Sequence, residues 1–420
     1  MKAVGASRGS IVMGISIGLV GLGAFGSAFA DLFRSHPLVD RVALCDREPD
    51  RMAAIASRPG WDRKLNPRDM YQTLDELLAT DVDAVAVITQ PWLHAPQCVQ
   101  AMEAGKCVYS AVPVMWLPDG DETLEWCGRI IDTSLRAGRF YMLGETTFYH
   151  AETMFCRRKA AEGAFGEFVY AEGEYFHDVD SGCSLREVYR WRHGSKAGRE
   201  WLQAKKKYLA AGIRGGPMHY PTHSVSGPVS VMKARAVKVT AYGYRNRNGD
   251  PFFDDEAFSN EMALFLMSNG AAVRICECRE IAGSFQEPET FRIMGTRGTY
   301  GERIWRENFR AAPLTAKPLA ETRLTDEQMR DPLPGEVALA FKRIQDPNAA
   351  DGSDFTPRGH GGSHPYLVHE FVDAVAHERQ PAINAWEAAR YMAMGVTAHK
   401  SALRDGERLD VPDLGDPPAS

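Results

Sequence analysis

The sequence lacks several features that define whole classes of protein. Its eight cysteines form no C-x-x-C pair, which excludes the common zinc and dithiol motifs and predicts no metal site. No apolar run reaches membrane-spanning length, so no membrane partner is expected. Acidic residues outnumber basic ones, 55 to 49, so nucleic-acid binding has no electrostatic support. Free thiols in a chain of 420 residues are typical of a reducing, cytoplasmic setting.

Residues 1–13 lack the apolar core of a signal peptide, and we expect a disordered or extended tail there. The next stretch carries three glycines spaced as G-x-G-x-x-G, between an apolar run at 15–20 and a helical pattern. In such a strand–turn–helix unit the glycines permit a tight turn, close approach to a pyrophosphate, and packing of the helix on the sheet. The predicted cofactor loop comprises Gly21, Gly23, Ala24, Phe25 and Gly26.

An acidic residue completes this pattern at the end of the second apolar run. Asp46 follows Gly26 by 20 residues and is placed to accept hydrogen bonds from ribose hydroxyls. This spacing predicts NAD as the cofactor. Arg47 keeps NADP open as an alternative, because a guanidinium can meet a 2′-phosphate.

The hydrophobic patterns divide the chain into two domains after the tail. Strands and helices alternate over residues 14–145, which predicts an α/β domain with a doubly wound, parallel Rossmann sheet. From 146 to 420, longer strand-like segments predict a substrate-binding α+β domain with a large, mostly antiparallel open sheet. We expect a homo-oligomer, either a dimer or a tetramer, formed through that sheet. Residues 181–190 are predicted to be a polar loop, and the proline-rich stretch 307–363 an irregular excursion.

The string V-I-T-Q-P-W-L-H-A-P-Q-C-V-Q-A-M-E-A-G-K-C-V-Y-S-A-V-P, residues 87–113, resembles the Gfo/Idh/MocA family of sugar-acting dehydrogenases. The resemblance extends over almost the whole chain and implies a Rossmann domain followed by an open-sheet domain. It also implies that the segment after the fourth strand lines the nicotinamide ribose. The residues that this places at the cofactor are Thr89, Gln90, Pro91 and His94.

One departure from the family pattern affects the expected chemistry. The family usually carries Glu-Lys-Pro after the next strand, with the lysine as its common catalytic residue. Here the triplet is Ala111-Val112-Pro113, and the apolar Val112 supplies neither a donor nor a base. Either another residue does the acid–base work, or the protein does not run the usual oxidation.

Three further strings resemble the redox-neutral, NAD-dependent glycosidase branch of the same superfamily. They are Y-A-E-G-E-Y-F-H-D at 170–178, H-Y-P-T-H-S-V-S-G-P-V at 219–229 and G-H-G-G-S-H at 359–364. That branch also lacks the lysine and uses a tyrosine and a histidine at the substrate. By motif, Tyr175 and His223 match those catalytic positions. A histidine can relay a proton near neutral pH, whereas a phenol needs nearby positive charge to act as a base.

Candidate groups around these two residues follow from their chemistry. Arg192 and Arg214 are the candidates for the charge beside Tyr175, and the spacing does not choose between them. Aromatic and guanidinium groups together suit a sugar ring, although the same groups equally suit a contact between domains. The predicted substrate residues are Trp191, Arg192, Tyr220 and His360.

Three functions remain open from the sequence. The first is hydride transfer between NAD and a carbinol of a sugar or glycoside, with His223 or Tyr175 as the base. The second is redox-neutral glycoside cleavage through transient oxidation at C3 and proton removal at C2, which needs no pair of catalytic carboxylates. The third is an NAD-binding sensor without turnover, against which the retained tyrosine and histidine motifs argue.

Overall fold

The computed structural model describes residues 14–182, 184–283, 288–307, 320–350, 352 and 355–418. The predicted tail at 1–13 lies outside these residues. The first elements alternate strictly between strand and helix. They are β1 (Ile15–Val20), α1 (Ala24–Ser35), β2 (Val39–Cys45), α2 (Pro49–Ala56), β3 (Met70–Tyr71), α3 (Leu74–Leu78), β4 (Ala84–Val87), α4 (His94–Glu103), β5 (Cys107–Ser110), α5 (Gly120–Ala137) and β6 (Tyr141–Leu143).

These six strands form one parallel sheet in the order β3-β2-β1-β4-β5-β6. This is the doubly wound order of a dinucleotide-binding fold. The central strands are buried on both faces, which explains why they are continuous apolar runs. The predicted α/β class is confirmed.

A second sheet is built by the rest of the chain. Its elements are α6 (Ala151–Ala161), β7 (Phe168–Phe176), α7 (Leu185–Gly194), α8 (Lys196–Ala210), α9 (Thr222–Met232), β8 (Ala236–Tyr244), β9 (Asn260–Met267), β10 (Ala272–Cys278), β11 (Glu289–Gly295), β12 (Gly298–Gly301), β13 (Ile304–Glu307), β14 (Ala320–Arg323), α10 (Asp326–Met329), α11 (Gly335–Gln345), α12 (His364–Ala376), α13 (Ala385–Leu403) and β15 (Leu409–Asp410).

The nine strands of this sheet lie in the order β14-β13-β12-β11-β7-β10-β9-β8-β15. Only β7 and β10 pair in parallel among them, so the predicted mostly antiparallel sheet is confirmed. Helix α9 packs against β7, β10 and β11 at the centre. The parallel pair places the ends of β7 and β10 side by side, and this neighbourhood carries the polar groups of the site.

Two segments that the sequence predicted as irregular contain helices. Within 181–190, α7 begins at Leu185, and the Ser184 hydroxyl accepts a hydrogen bond from the Glu187 amide at its N-cap. No residue of α7 is fully buried, and its apolar residues Leu185, Val188 and Tyr189 are separated by charged ones, which obscures their helical spacing in the sequence. The described part of 307–363 contains β14, α10 and α11, and Phe341 of α11 is buried in the core.

The end of the chain returns to the first sheet. Helix α12 packs against α1 and β1. The ring of Phe371 meets that of Phe33 at 6.4 Å, and His364 lies 4.2 Å from Phe29, both between ring centroids. The core around the parallel sheet therefore includes a helix from the last sixty residues.

Among the described residues, no helix is both long and apolar enough to cross a membrane. The seven cysteines in this part of the chain are free and buried. No group of three or more His, Cys, Asp or Glu within the described ranges is arranged to hold a metal ion. The cytoplasmic location stays a prediction.

Candidate active site

The glycine turn between β1 and α1 has the geometry of a phosphate loop. Gly21 adopts a φ of +88°, which favours glycine. A Cβ on Gly26 would lie 1.9 Å from the carbonyl oxygen of Gly21, so only glycine permits this close packing. A Cβ on Gly23 would meet nothing nearer than Arg51 Nη1, at 4.0 Å. The second glycine therefore faces open space at the N-terminus of α1, where amides are available to a pyrophosphate.

Asp46 lies beside this turn, at the carboxyl end of β2. Its Oδ2 accepts a hydrogen bond from the Leu22 amide at 2.7 Å, and its Oδ1 accepts one from the Glu48 amide at 2.9 Å. Arg47 instead points to α8, where its guanidinium makes a two-pronged pair with Glu200 at 3.0 and 2.9 Å. The carboxylate is fixed next to the phosphate loop, and the guanidinium already has an acidic partner.

His94 holds the loop after β4 in place. This histidine is buried, with Nδ1 2.8 Å from the Pro113 carbonyl oxygen and Nε2 3.3 Å from that of Thr89. Burial lowers the pKa of His94 to about 4, so the ring is neutral and carries one N–H. Both ring nitrogens face protein carbonyls. His94 thus positions the loop, and its place at the border of the cofactor stays a prediction.

Three other residues of this loop, Thr89, Gln90 and Pro91, present polar atoms. Thr89 donates a hydrogen bond to Gln97 Oε1 at 2.6 Å, which fixes its side chain. The carbonyl of Pro91 accepts a hydrogen bond from the Trp116 amide at 3.3 Å. Gln90 Oε1 is buried with no hydrogen-bond partner among the described residues. A buried acceptor without a partner is costly, so this atom fits a ligand that supplies a donor.

Val112 occupies the position of the family lysine and is buried. Its carbonyl oxygen accepts a hydrogen bond from the Tyr220 hydroxyl at 3.3 Å. The Tyr220 ring lies 5.4 Å from the His223 ring, between centroids. A phenol and an imidazole therefore lie beside the place where the ammonium group is missing.

His223 forms the charged centre of the pocket. Its Nδ1 lies 2.9 Å from Glu145 Oε1 and 3.9 Å from Glu289 Oε1. Burial alone would lower the pKa of His223, but the carboxylates of Glu145 and Glu289 outweigh it and raise that pKa to about 9. The same pair lowers the pKa of the buried Glu145 in spite of burial. At neutral pH the pair is an imidazolium and a carboxylate.

Tyr175 faces His223 across the pocket, with ring centroids 5.0 Å apart. Burial raises the pKa of this phenol well above its ordinary value, and the charge of Arg279 opposes the rise. The guanidinium carbon of Arg279 lies 4.2 Å from the centre of the Tyr175 ring. The positive charge beside Tyr175 is therefore Arg279, and the sequence-based candidates Arg192 and Arg214 are wrong for this role. Arg279 follows β10, a strand that pairs with β7 only in the folded sheet.

The turn His360–Gly362 lies against the same pocket. His360 Nδ1 is 3.2 Å from His364 Nε2, and its ring is 5.5 Å from that of Phe25 in the phosphate loop. A Cβ on Gly361 would approach His150 Nε2 to 2.8 Å, so glycine allows the turn to close. Burial lowers the pKa of His360, and His223 adds to that effect. The structure thus brings His360 between the phosphate loop and His223.

The two predicted substrate residues on α7 face different environments in the structure. Trp191 is 67% exposed and points to solvent, so it does not form a stacking platform in the pocket as predicted. Arg192 acts electrostatically on both His94 and Tyr220, which puts its charge at the pocket side of the helix. The next residue, His193, stacks on Trp92 at 6.1 Å. Adjacent positions on a helix point about 100° apart, which accounts for the difference.

Sequence reasoning missed the acidic and basic partners of the two central residues. Glu145, Glu289, Glu277 and Arg279 each lie at or just beyond the end of a strand. For Glu145 a signal was present, because it follows β6 at the carboxyl edge of a parallel sheet, where ligands bind. The other three depend on the strand order of the second sheet.

Comparison with known proteins agrees with this geometry. Residues 15–144 match the family described as oxidoreductase family, NAD-binding Rossmann fold. The chain is 27% identical over 437 residues to a glycosyl hydrolase family 109 protein of Streptomyces niveus, covering 95% of this chain and 77% of that protein. It is 28% identical over 221 residues to an alpha-N-acetylgalactosaminidase of Shewanella oneidensis, covering 51% and 43%. The chain thus spans less than half the length of several of the curated relatives it matches.

Among solved structures, a levoglucosan dehydrogenase in complex with NADH and levoglucosan superposes with a TM-score of 0.68. The alignment covers 95% of this chain and 100% of that one at 17% identity, which supports the fold. The fold and the phosphate loop are those of an NAD-binding Rossmann domain joined to a large second sheet. Residues 15–144 match the Gfo/Idh/MocA family model, and the relatives named as glycosyl hydrolases confirm the predicted likeness to that branch.

Proposed function

We propose that the protein is an NAD-dependent enzyme that cleaves a glycoside without net redox change. The single observation that carries this proposal is the presence of two separate proton-handling groups in one pocket. One is the His223–Glu145 pair, and the other is Tyr175 beside Arg279. A plain alcohol oxidation needs one base, whereas transient oxidation followed by elimination moves protons at both an oxygen and a carbon.

The phosphate loop, Asp46 and the loop at Thr89–Pro91 would hold the cofactor. Bound NAD⁺ supplies a hydride acceptor for a ring carbinol and returns the hydride at the end of the cycle. NAD is favoured over NADP because the Asp46 carboxylate would repel a 2′-phosphate, and because Arg47 is already paired with Glu200. Side chains of the pocket must therefore transfer the protons of the sugar.

His223 is proposed to handle the hydroxyl proton. As an imidazolium it supplies the positive charge that the lysine supplies elsewhere in the family. Positive charge brought into the pocket lowers the pKa of an imidazolium, which converts His223 from a donor into an acceptor. Glu145, held by the Thr147 amide at 2.8 Å, orients the ring and keeps Nδ1 protonated. The other nitrogen is then available to the substrate hydroxyl.

Tyr175 is proposed to remove the proton from the carbon next to the new ketone. That carbonyl acidifies the neighbouring C–H bond, and loss of the proton expels the aglycone from C1. Water then adds to C1, and the carbon regains a proton from the protonated phenol. Tyr220 and Arg192 border the same pocket and are proposed to bind the sugar together with His360. The relative named alpha-N-acetylgalactosaminidase makes N-acetylgalactosaminides the first substrates to test.

The test is incubation of the purified protein with aryl glycosides in deuterated water. We expect deuterium at C2 of the released sugar and no accumulation of NADH. His223→Asn should abolish release, whereas His377→Asn, at an exposed histidine directly after α12, is the matched control. Stoichiometric NADH without cleavage would support the second candidate, a plain sugar dehydrogenase that uses only the His223–Glu145 pair. Absence of both signals with every sugar would favour an NAD-binding sensor.

We also propose that two copies of the chain associate through the open face of the second sheet. Large apolar side chains lie exposed on this face: Tyr242, Met262, Leu264, Leu266 and Met294. Exposed apolar surface of this kind is typical of a protein interface. Leu264→Asp should shift the protein to monomer in sedimentation velocity, with Leu403→Asp, another exposed leucine, as the control. A monomeric wild-type protein would contradict the proposal.

A further inference from the structure

A buried ion pair lies behind both proposed catalytic side chains. Arg279 donates from Nη2 to Glu277 Oε2 at 2.6 Å and from Nη1 to the main-chain carbonyl of Tyr175 at 2.9 Å. The other oxygen of Glu277 accepts a hydrogen bond from the hydroxyl of Ser224. Ser224 immediately follows His223 on α9. One ion pair therefore connects the strand that carries Tyr175 with the helix that carries His223.

We infer that the Arg279–Glu277 pair is a positioning and tuning unit, which aligns Tyr175 with His223 and sets how readily the Tyr175 phenol ionises. This inference rests on the proposed function, because it assumes that Tyr175 exchanges a proton with the substrate. The geometry supports the tuning part directly. The Arg279 guanidinium lies over the face of the ring at 4.2 Å, where a cation stabilises the electron-rich phenolate.

The charge of Arg279 is not cancelled by its partner. Burial raises the pKa of Glu277 to about 7, although Arg279 opposes the rise. Arg279 lowers the pKa of the Tyr175 phenol more strongly than Glu277 raises it, so the pair as a whole favours ionisation of Tyr175. An opposite charge within about 4–6 Å lowers the pKa of an acid by roughly 1–3 units.

Other charged or titratable groups also face the Tyr175 phenol and contribute to its pKa. They are His177 directly after β7, Tyr220 and His223 at α9, Glu289 on β11, and Glu277 with Arg279 at β10. Glu289 raises the phenol pKa, in the opposite sense to Arg279. Burial lowers the pKa of His177 to about 4, so this neighbour is neutral at the working pH. Arg279 therefore favours ionisation of the phenol, together with the His223 imidazolium, whose ring lies 5.0 Å away.

The test measures the ionisation of Tyr175 itself and needs no turnover. The protein is labelled with 3-fluorotyrosine, which ionises at lower pH than tyrosine, and the ¹⁹F signal of position 175 is assigned by its loss in Tyr175→Phe. Arg279→Gln should raise the pKa of this phenol by about 1–3 units. Glu277→Gln should lower it, because the guanidinium then has no anionic partner. Arg279→Lys keeps the charge and should leave the pKa near that of wild type.

Opposite shifts in the two glutamine variants are the result that a purely structural role cannot produce. Arg306→Gln, which breaks an exposed pair with Glu321 on the same sheet, is the matched control and should change nothing. Unchanged ionisation of Tyr175 in folded Glu277→Gln and Arg279→Gln, or shifts in the same direction in both glutamine variants, would overturn the inference. If the phenol shifts as expected but no glycoside is cleaved, the pair tunes Tyr175 and the proposed function fails.

Discussion

Removal of the Glu145 carboxylate tests the electrostatics of the pocket most directly. Glu145→Gln keeps the size of the side chain and its contact with the Thr147 amide, but removes the negative charge 2.9 Å from His223. In wild type that charge is the chief reason why the pKa of His223 is about 9 rather than lowered by burial. We expect the pKa to fall by about two units, equivalent to about 3 kcal/mol in favour of the neutral ring.

The measurement is a pH titration of ¹⁵N-labelled histidines by NMR, with His223 assigned by its loss in His223→Asn. A matched control exists in the same chain, because His399 is buried and paired with Glu261 at 2.8 Å. Glu261→Gln should lower the pKa of His399 and leave His223 unchanged. A His223 pKa that stays near 9 in Glu145→Gln would refute the electrostatic reasoning about the pocket.

Three further predictions concern the cofactor loop, cofactor choice and stability. Gly26→Ala should abolish retention of NAD and lower the melting temperature, because its Cβ would meet the Gly21 carbonyl oxygen. Gly128→Ala on α5 is the control and should stabilise the protein slightly. Thermal unfolding with and without NAD measures both effects, and normal NAD binding by Gly26→Ala would contradict the role given to Gly26. Glu200→Gln frees Arg47 and should improve NADP binding about two- to fivefold relative to NAD in calorimetry, because an exposed ion pair is worth up to about 1 kcal/mol; an unchanged ratio would show that the pair does not govern the choice. Burial lowers the pKa of His36 to about 3 and that of His94 to about 4, below the value near 6.5 in an unfolded chain. The unfolded state therefore binds more protons as the pH falls below about 6.5, and each histidine should cost about 2 kcal/mol of stability at pH 5. Urea unfolding at pH 7 and pH 5 measures this loss, and equal free energies of unfolding at the two pH values would contradict it.

The features predicted best from the sequence are those set by short-range spacing. Gly21, Gly23, Gly26 and Asp46 lie within one strand–helix–strand unit, so their separation along the chain fixes their separation in space. The alternation of apolar runs likewise predicted the parallel sheet, because strands buried on both faces have little freedom in composition. The motif resemblance placed Tyr175 and His223 in one pocket, although no local pattern connects them.

The features that escaped prediction depend on long-range pairing. Arg279 reaches Tyr175 because β10 pairs in parallel with β7, two strands separated by about a hundred residues of chain. Nothing in the sequence near Tyr175 favours Arg279 over Arg192 or Arg214. Helix α7 was missed for a different reason: charged residues interrupt its short apolar stripe of Leu185, Val188 and Tyr189, and none of the three is fully buried.

The return of α12 to the parallel sheet has a consequence for biosynthesis. During translation the nucleotide-binding half emerges first, yet the aromatic surface of α1 around Phe29 and Phe33 stays uncovered until Phe371 has left the ribosome. A truncated product ending after β6 would expose that surface and aggregate rather than survive as an autonomous unit. Folding of the nucleotide-binding half is therefore coupled to synthesis of α12, because that helix covers aromatic residues beside the cofactor loop.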